Sequence, residues 1–315
     1  MVLVGDPPVL RAVESRGRLG RARSFELAPP PKQFFPLQAA RSSFGDWLIS
    51  AGWQVRWLRG SKHEPLPLPP LVATWDVGFL DDRPVAAVEW LVREDSTLPL
   101  LLEWTGREWE TLLDEDISAE AVGSEPSTHH VAAVLSGGSG GSLWLGFQYR
   151  HRVLRVDRSG KVDLELRVGD AGVQHGPADP EAEKRATEAA ARIGGPPGRP
   201  KRVTVFVNTA RPVIDALAEG PDGRLYVILN SGDAAGSRTL ERFDPLSGVL
   251  DRTGVRLAQG FPVRMVAGKE GLVIAALAAK NGVWLLPWEA IDGAQWTPVD
   301  GAVVTPPPRA EPSNG

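Results

Sequence analysis

A chain of 315 residues, 42% apolar and 23% charged, has the balance of an ordinary globular protein and enough length for a substantial core. Its formal net charge of −4 lacks the basic excess that nucleic-acid binding needs, and 28 Arg against 7 Lys with abundant Ala, Gly and Pro suggest a bacterial gene of high GC content. The absence of cysteine removes disulfides, thiol catalysis, Cys–zinc sites and iron–sulfur clusters together, and no run approaches the roughly 18 apolar residues of a transmembrane segment.

The chain opens on MVLVGDPP, without the basic and apolar regions of a signal peptide. With Met1 as native start the expected compartment is the cytoplasm; removal of an upstream signal would place the protein in the periplasm or outside the cell. Residues 1–27 also read like residues 143–166. Each has a short apolar run, a loop, a Val-Leu-Arg run (Val9-Leu10-Arg11; Val153-Leu154-Arg155), a Gly turn (Gly17; Gly160) and a final alternating run. That is three consecutive strands written twice, the mark of a repeat architecture.

Short strands separated by Gly, Pro, Asp and Ser turns continue along the chain, an all-β pattern. Four-strand units are expected at about 35–70, 71–117, 128–168, 211–258 and 260–300. The turns Pro221-Asp222-Gly223 and Ser247-Gly248 supply glycine where φ turns positive. Five units of 40–45 residues have the period of propeller blades. Residues 1–27 provide strands equivalent to the second, third and fourth of a blade, and Ala302–Thr305 can provide the first. The expected fold is therefore a six-bladed β-propeller of four-stranded antiparallel blades, one domain over 1–306, closed by both termini. Closure of that kind removes open sheet edges.

Residues 169–200 interrupt the pattern as a polar, Gly- and Pro-rich insertion with a helix over 180–193. Asp179 suits its N-cap, Pro180 its first position, and Gly194-Gly195 its end. Val203–Val207 reads as an extra strand, joining either the third blade's outer edge or the insertion. Residues 307–315 read as a disordered tail.

The unit PVIDALAEGPDGRLYVILN…RTLERFDPLSGVL, with its Asp222-Gly223 turn, Leu225-Tyr226-Val227, Phe243-Asp244 and Gly248, resembles a blade of the NHL-type and related six-bladed propellers. Gly141–Phe147 followed by Val153–Asp157 and Gly160 is similar more loosely. The resemblance covers about half the chain and implies fold rather than activity. Where many blades of that kind carry Asp after the second strand, this chain carries Asn230.

Candidate site residues gather where the mouth of the central channel is expected. His129 and His130 precede the first strand of the third blade and have the chemistry of metal ligands or a general base; the plainer reading is a loop pair whose side chains diverge. Asp215 lies in the innermost strand of the fourth blade, with Asn208 and Arg211 before it and Asn230 after the next strand. Similarity to the gluconolactonase group implies Ca²⁺ held by oxygen ligands, for which Asp215 and Asn230 are candidates. The plainer reading has Asp215 accepting hydrogen bonds from turn amides, and no cofactor is expected. The Gly137–Gly141 loop lacks the Lys-Ser/Thr of a phosphate loop and reads as a hairpin. Arg150, His151, Arg152 and Arg155 form a basic cluster that strand alternation splits between two faces, as a solvated surface would. Seven of the 11 tryptophans lie between Trp47 and Trp109; packing between blades is expected, against an alternative in which Trp53, Trp75 or Trp104 is exposed to sugar or protein.

These features point to a non-catalytic binding or scaffolding propeller that engages a protein partner through its loops and the 169–200 insertion. The alternatives are a Ca²⁺-dependent hydrolase or lactonase at the channel mouth, and carbohydrate binding through exposed Trp.

Overall fold

The computed structural model describes residues 2–4, 9–13, 19–24, 37–51, 54–70, 72–90, 97–116, 133–138, 141–169, 184, 213–230, 237–257, 261–277 and 282–305. Strands β1 (Val2–Val4), β2 (Val9–Val13) and β3 (Leu19–Ser24) make a three-stranded sheet. The first blade is β4 (Leu37–Arg41), β5 (Trp47–Ala51), β6 (Gln54–Arg59) and β7 (Lys62–Leu66), and the second is β8 (Val72–Leu80), β9 (Arg83–Trp90), β10 (Thr97–Trp104) and β11 (Trp109–Asp116). The third is β12 (Ala133–Gly137), β13 (Leu143–Phe147), β14 (Arg152–Val156) and β15 (Val162–Val168), and the fourth is β16 (Ile214–Glu219), β17 (Leu225–Leu229), β18 (Ser237–Phe243) and β19 (Leu250–Arg256). The fifth is β20 (Phe261–Ala267), β21 (Gly271–Leu277) and β22 (Gly282–Pro287), followed by a short helix α1 (Trp288–Asp292) and strands β23 (Thr297–Pro298) and β24 (Ala302–Thr305).

Pairing within the blades is antiparallel, and the first strands lie side by side in the order β1, β4, β8, β12, β16, β20. This is the β-propeller arrangement, with inner strands around a channel and each sheet packed face to face on the next. The core is accordingly divided between blades. Leu48, Val55 and Trp57 meet Val77, Val88 and Trp104 between the first and second. Leu80 and Leu101 meet Leu145, Phe147 and Leu154 between the second and third. Trp144 and Leu166 meet Leu217 and Phe243 between the third and fourth, and Tyr226 and Leu240 meet Met265 and Ile274 between the fourth and fifth. Full burial of one such side chain contributes about 1.5–3 kcal/mol, so each interface is a substantial adhesive.

The described residues show five blades, not six. The expected sixth needed Ala302–Thr305 as the inner strand of the N-terminal sheet. Instead β24 pairs with the outer edge of the third blade, Leu166 opposite Val304 and Val168 opposite Ala302. The end of the unit expected at 260–300 supplies β23 to the edge of the fourth blade instead of a fourth strand to the fifth, Asp251 opposite Pro298. The physical reason is burial. Val299, Ala302 and Val304 pack onto the apolar cluster between the third and fourth blades, and two open edges are covered at once. Helix α1 redirects the chain to make this possible; its Ile291 is buried under the fifth blade, and Pro287 at its start ends β22. Of the expected helix over 180–193 only Lys184 is described, and it is helical; Val203–Val207 and the tail lie outside the described residues.

Antiparallel order sorts the connections onto two ends of the ring. Turns between first and second and between third and fourth strands open on one end, and all are short. The strand ends that the remaining connections join, Trp90 and Thr97, Asp116 and Ala133, Val168 and Ile214, and Leu229 and Ser237, lie on the other. This second end is the long-connection face.

Candidate functional site

Lone charges stand out in otherwise apolar inner strands. Asp76 in β8 is 1% exposed. Its Oδ1 accepts the Val77 N–H (2.7 Å) and its Oδ2 the Leu135 N–H (2.7 Å) of the neighbouring inner strand β12. Arg264, from β20 on the fifth blade, donates to both oxygens. The pair thus ties the inner strands of the second, third and fifth blades within the channel. Burial pushes the Asp76 carboxyl above its ordinary range, against the opposing pull of Arg264 and the two amides.

Asp215 occupies a break in strand register, where β16 pairs Ile214 with Leu229 and then Ala216 with Ile228. Such a bulge re-aims a side chain and is frequent beside functional sites. The same kind of break occurs at Trp75 in β8 and at Val263 in β20. Asp215 is 6% exposed. Its Oδ1 accepts a hydrogen bond from Asn230 Nδ2 (3.4 Å), and its Oδ2 lies 3.6 Å from Arg238 Nε. Burial raises its pKa to about 6, although Arg238 and Asn230 pull downward. The Asn230 N–H is bonded to Val213 O (2.9 Å), which fixes the two expected partners beside one another.

The neighbouring turn between β13 and β14 carries Arg150 and His151 of the basic cluster, β14 itself carries Arg152 and Arg155, and here the expectation of a solvated surface is corrected. Arg150 and Arg152 are buried. Arg152 Nε bonds Glu165 of β15 (2.5 Å) while its guanidinium covers the Phe147 ring at 4.6 Å, and Arg155 pairs with Asp163 (2.7 Å). His151 Nε2 reaches across to the fully buried Glu241 of β18 (2.7 Å), whose other oxygen meets Arg252 (3.2 Å). Carboxylates on the adjacent strand and blade, which alternation alone does not reveal, engage Arg152, Arg155 and His151. Glu165 illustrates the balance: burial works against its charge, but hydrogen bonds from Arg167 and Arg152 prevail and its pKa is lowered.

The structure therefore brings Asp215 and Asn230 together at the long-connection end of the channel. His129, His130, Asn208 and Arg211 lie outside the described residues. Asp76 and Arg264 were missed by the sequence reading, although a lone Asp in VATWDVGFL and a lone Arg in FPVRMVA are visible signals. Trp57, Trp104, Trp109 and Trp144 are buried between blades, so Trp104 is no exposed platform; Trp75 is half-buried. The ends of the Gly137–Gly141 loop join β12 to β13 as a hairpin, with the Gly138 N–H bonded to Ser142 O (3.0 Å).

Ca²⁺, which the resemblance implied, does not fit the described residues. Asp215 and Asn230 offer two oxygen-bearing side chains, but Arg238 places a positive charge where the cation would sit. Among the described residues no group of three or more His, Asp or Glu could hold a metal, and no helix is long and apolar enough to cross a membrane.

No protein-family profile and no curated protein matches this chain. Solved structures similar to it include a virginiamycin B lyase from Staphylococcus aureus, 13% identical over 93% of this chain and 92% of the other, TM-score 0.43. An oxidoreductase described as a glucose dehydrogenase from Thermus thermophilus is 14% identical over 87% and 84%, TM-score 0.43. The Swd1 β-propeller domain from Myceliophteria thermophila is 11% identical over 79% and 82%, TM-score 0.34. These solved structures include enzymes and a β-propeller domain.

Proposed function

We propose that this chain is a non-catalytic binding propeller that engages a protein partner through its long-connection face, with the 169–200 segment as the principal element. The carrying observation is the pairing of the buried carboxylates: in the channel Asp76 is held by Arg264 and Asp215 stands beside Arg238, and further out, in β18, Glu241 is shared by His151 and Arg252. A general base or metal ligand needs a carboxylate not already neutralised by a guanidinium. The strand ends joined by the longer connections meanwhile collect on one end of the ring.

The test is affinity capture with the full chain and with residues 172–198 deleted, followed by crosslinking. The deletion abolishes capture of the partner, and crosslinks map to 91–96, 117–132 and 169–213 rather than to the short-turn end. Unchanged capture removes the segment from the interface. A metal-dependent hydrolase would instead lose thermal stability on chelation; on the present reading the melting temperature is the same with and without chelator, and native mass spectrometry shows no bound metal.

A further inference from the structure

The first strands run in one line from β1 to β20, and among the described residues no sheet holds strands from both the N-terminal sheet and the fifth blade. Ala302–Thr305, expected to join those two ends, lies on the third blade instead. The ring therefore has a seam between its first and last sheets. The fifth blade is also fastened unevenly. One face is core, with Met265, Leu272 and Ile274 buried against Tyr226 and Leu240 of the fourth blade. On the other face Val266, the next residue after Met265, is 45% exposed. A sheet packed firmly on one side only is free to tilt about that side unless a second contact stops it.

That second contact comes from the opposite wall of the channel. β8 and β20 face each other, with β12 and β16 between them on one side and β4 and β1 on the other. Arg264 reaches across from β20, donates to both Asp76 oxygens, and meets Val77 O through Nη2 (3.4 Å). Asp76 is itself anchored by the Val77 and Leu135 N–H groups, so the fifth blade is gripped by the second and third together. Arg264 and Asp76 each follow directly on a register break, at Val263 and at Trp75, which re-aims them out of ordinary alternation. A charge-assisted hydrogen bond on a buried carboxylate is short in reach and directional, so it is made in one arrangement of the two walls and lost in others.

We propose that Asp76–Arg264 is a latch that holds the fifth blade in the ring, in place of a strand shared between the first and last sheets. Its release lets the fifth blade tilt outward at the seam about its apolar contact with the fourth. This device is independent of the partner-binding reading.

The chain has no cysteine, so Lys62→Cys and Lys269→Cys, at exposed positions of the first and fifth blades, carry the only two nitroxide labels. Pulsed electron spin resonance then reads the distance across the seam. The otherwise wild-type chain gives one narrow distance. Arg264→Gln adds a longer component, raising that fraction by at least about tenfold. Asp76→Asn does so to a smaller degree, since its amide oxygen still accepts from Arg264. Asp76→Leu with Arg264→Leu removes the buried charges but leaves the blade unlatched, and keeps the longer component. Val304→Asp, which loosens the edge of the third blade, does not produce it. A broad distribution in the wild type, or an unchanged narrow distance in the folded latch variants, overturns the proposal. So does an equal longer component in Val304→Asp, which would mark general loosening. If Arg264→Gln shows no cooperative melting transition, Asp76→Asn and the double variant decide.

Discussion

At the scale of residues, buried charge decides most of what is testable. Arg264 and Asp76 are not symmetrical partners. Arg264→Met leaves a fully buried carboxylate opposite a methyl group, a loss of about 3–5 kcal/mol. Asp76→Asn leaves an arginine whose side chain is still 19% exposed, and its loss is smaller. The double change Asp76→Leu with Arg264→Leu recovers only part of the Arg264→Met loss: the buried charge is gone, but the Val77 and Leu135 N–H groups lose their acceptor at about 1–3 kcal/mol each. Urea unfolding of the four proteins as a double-mutant cycle measures this order. Asp215 gives a second prediction. Its carboxyl keeps its proton up to a pH of about 6 in the fold and releases it near 3.8 when unfolded. The folded state thus binds the proton more tightly, so lowering the pH from 7.5 toward 5 adds stability through this group rather than removing it. Carboxyl ¹³C NMR on Asp215 shows a midpoint near 6; a midpoint near 4 rejects the burial argument. Asp215 and Asn230 were legible because turn and strand signals place them within a short stretch of one blade. Asp76–Arg264 was not, because its members are 188 positions apart and no local pattern links them.

At the scale of elements, strands and turns were readable from alternation and glycine position. The strand limits of the third and fourth blades follow the Gly160 and Gly248 turns, both of which have positive φ. Destination was harder to read. The run AVVT declares itself a strand but carries no address, and its place was settled by the apolar cleft between the third and fourth blades. Val304→Asp tests that settlement. It puts a carboxylate into the cleft and loosens β24, with a loss of about 1–3 kcal/mol in chemical unfolding and faster amide exchange along β15. Val303→Asp, on the opposite, exposed side of the same strand, leaves both unchanged within about 0.5 kcal/mol. Ile291→Ala, under the fifth blade, costs about 2–4 kcal/mol by leaving a cavity where α1 docks.

At the scale of the whole molecule, the ring is a series of apolar interfaces, and the described residues that build them come from outside 172–198. Removing residues 172–198 therefore changes the melting temperature by no more than about 2–4 °C, as differential scanning calorimetry will show. The period of the repeats made this architecture visible; the blade count was not, because it depended on where the last strands go. Those last strands also order events in time. On a ribosome the third and fourth blades emerge with their outer edges bare, and Glu165 waits for Thr305 before its strand is flanked. Chains halted before β23 therefore present two uncovered strand edges and are expected to aggregate more readily than chains that include β23 and β24, as light scattering of the two will show.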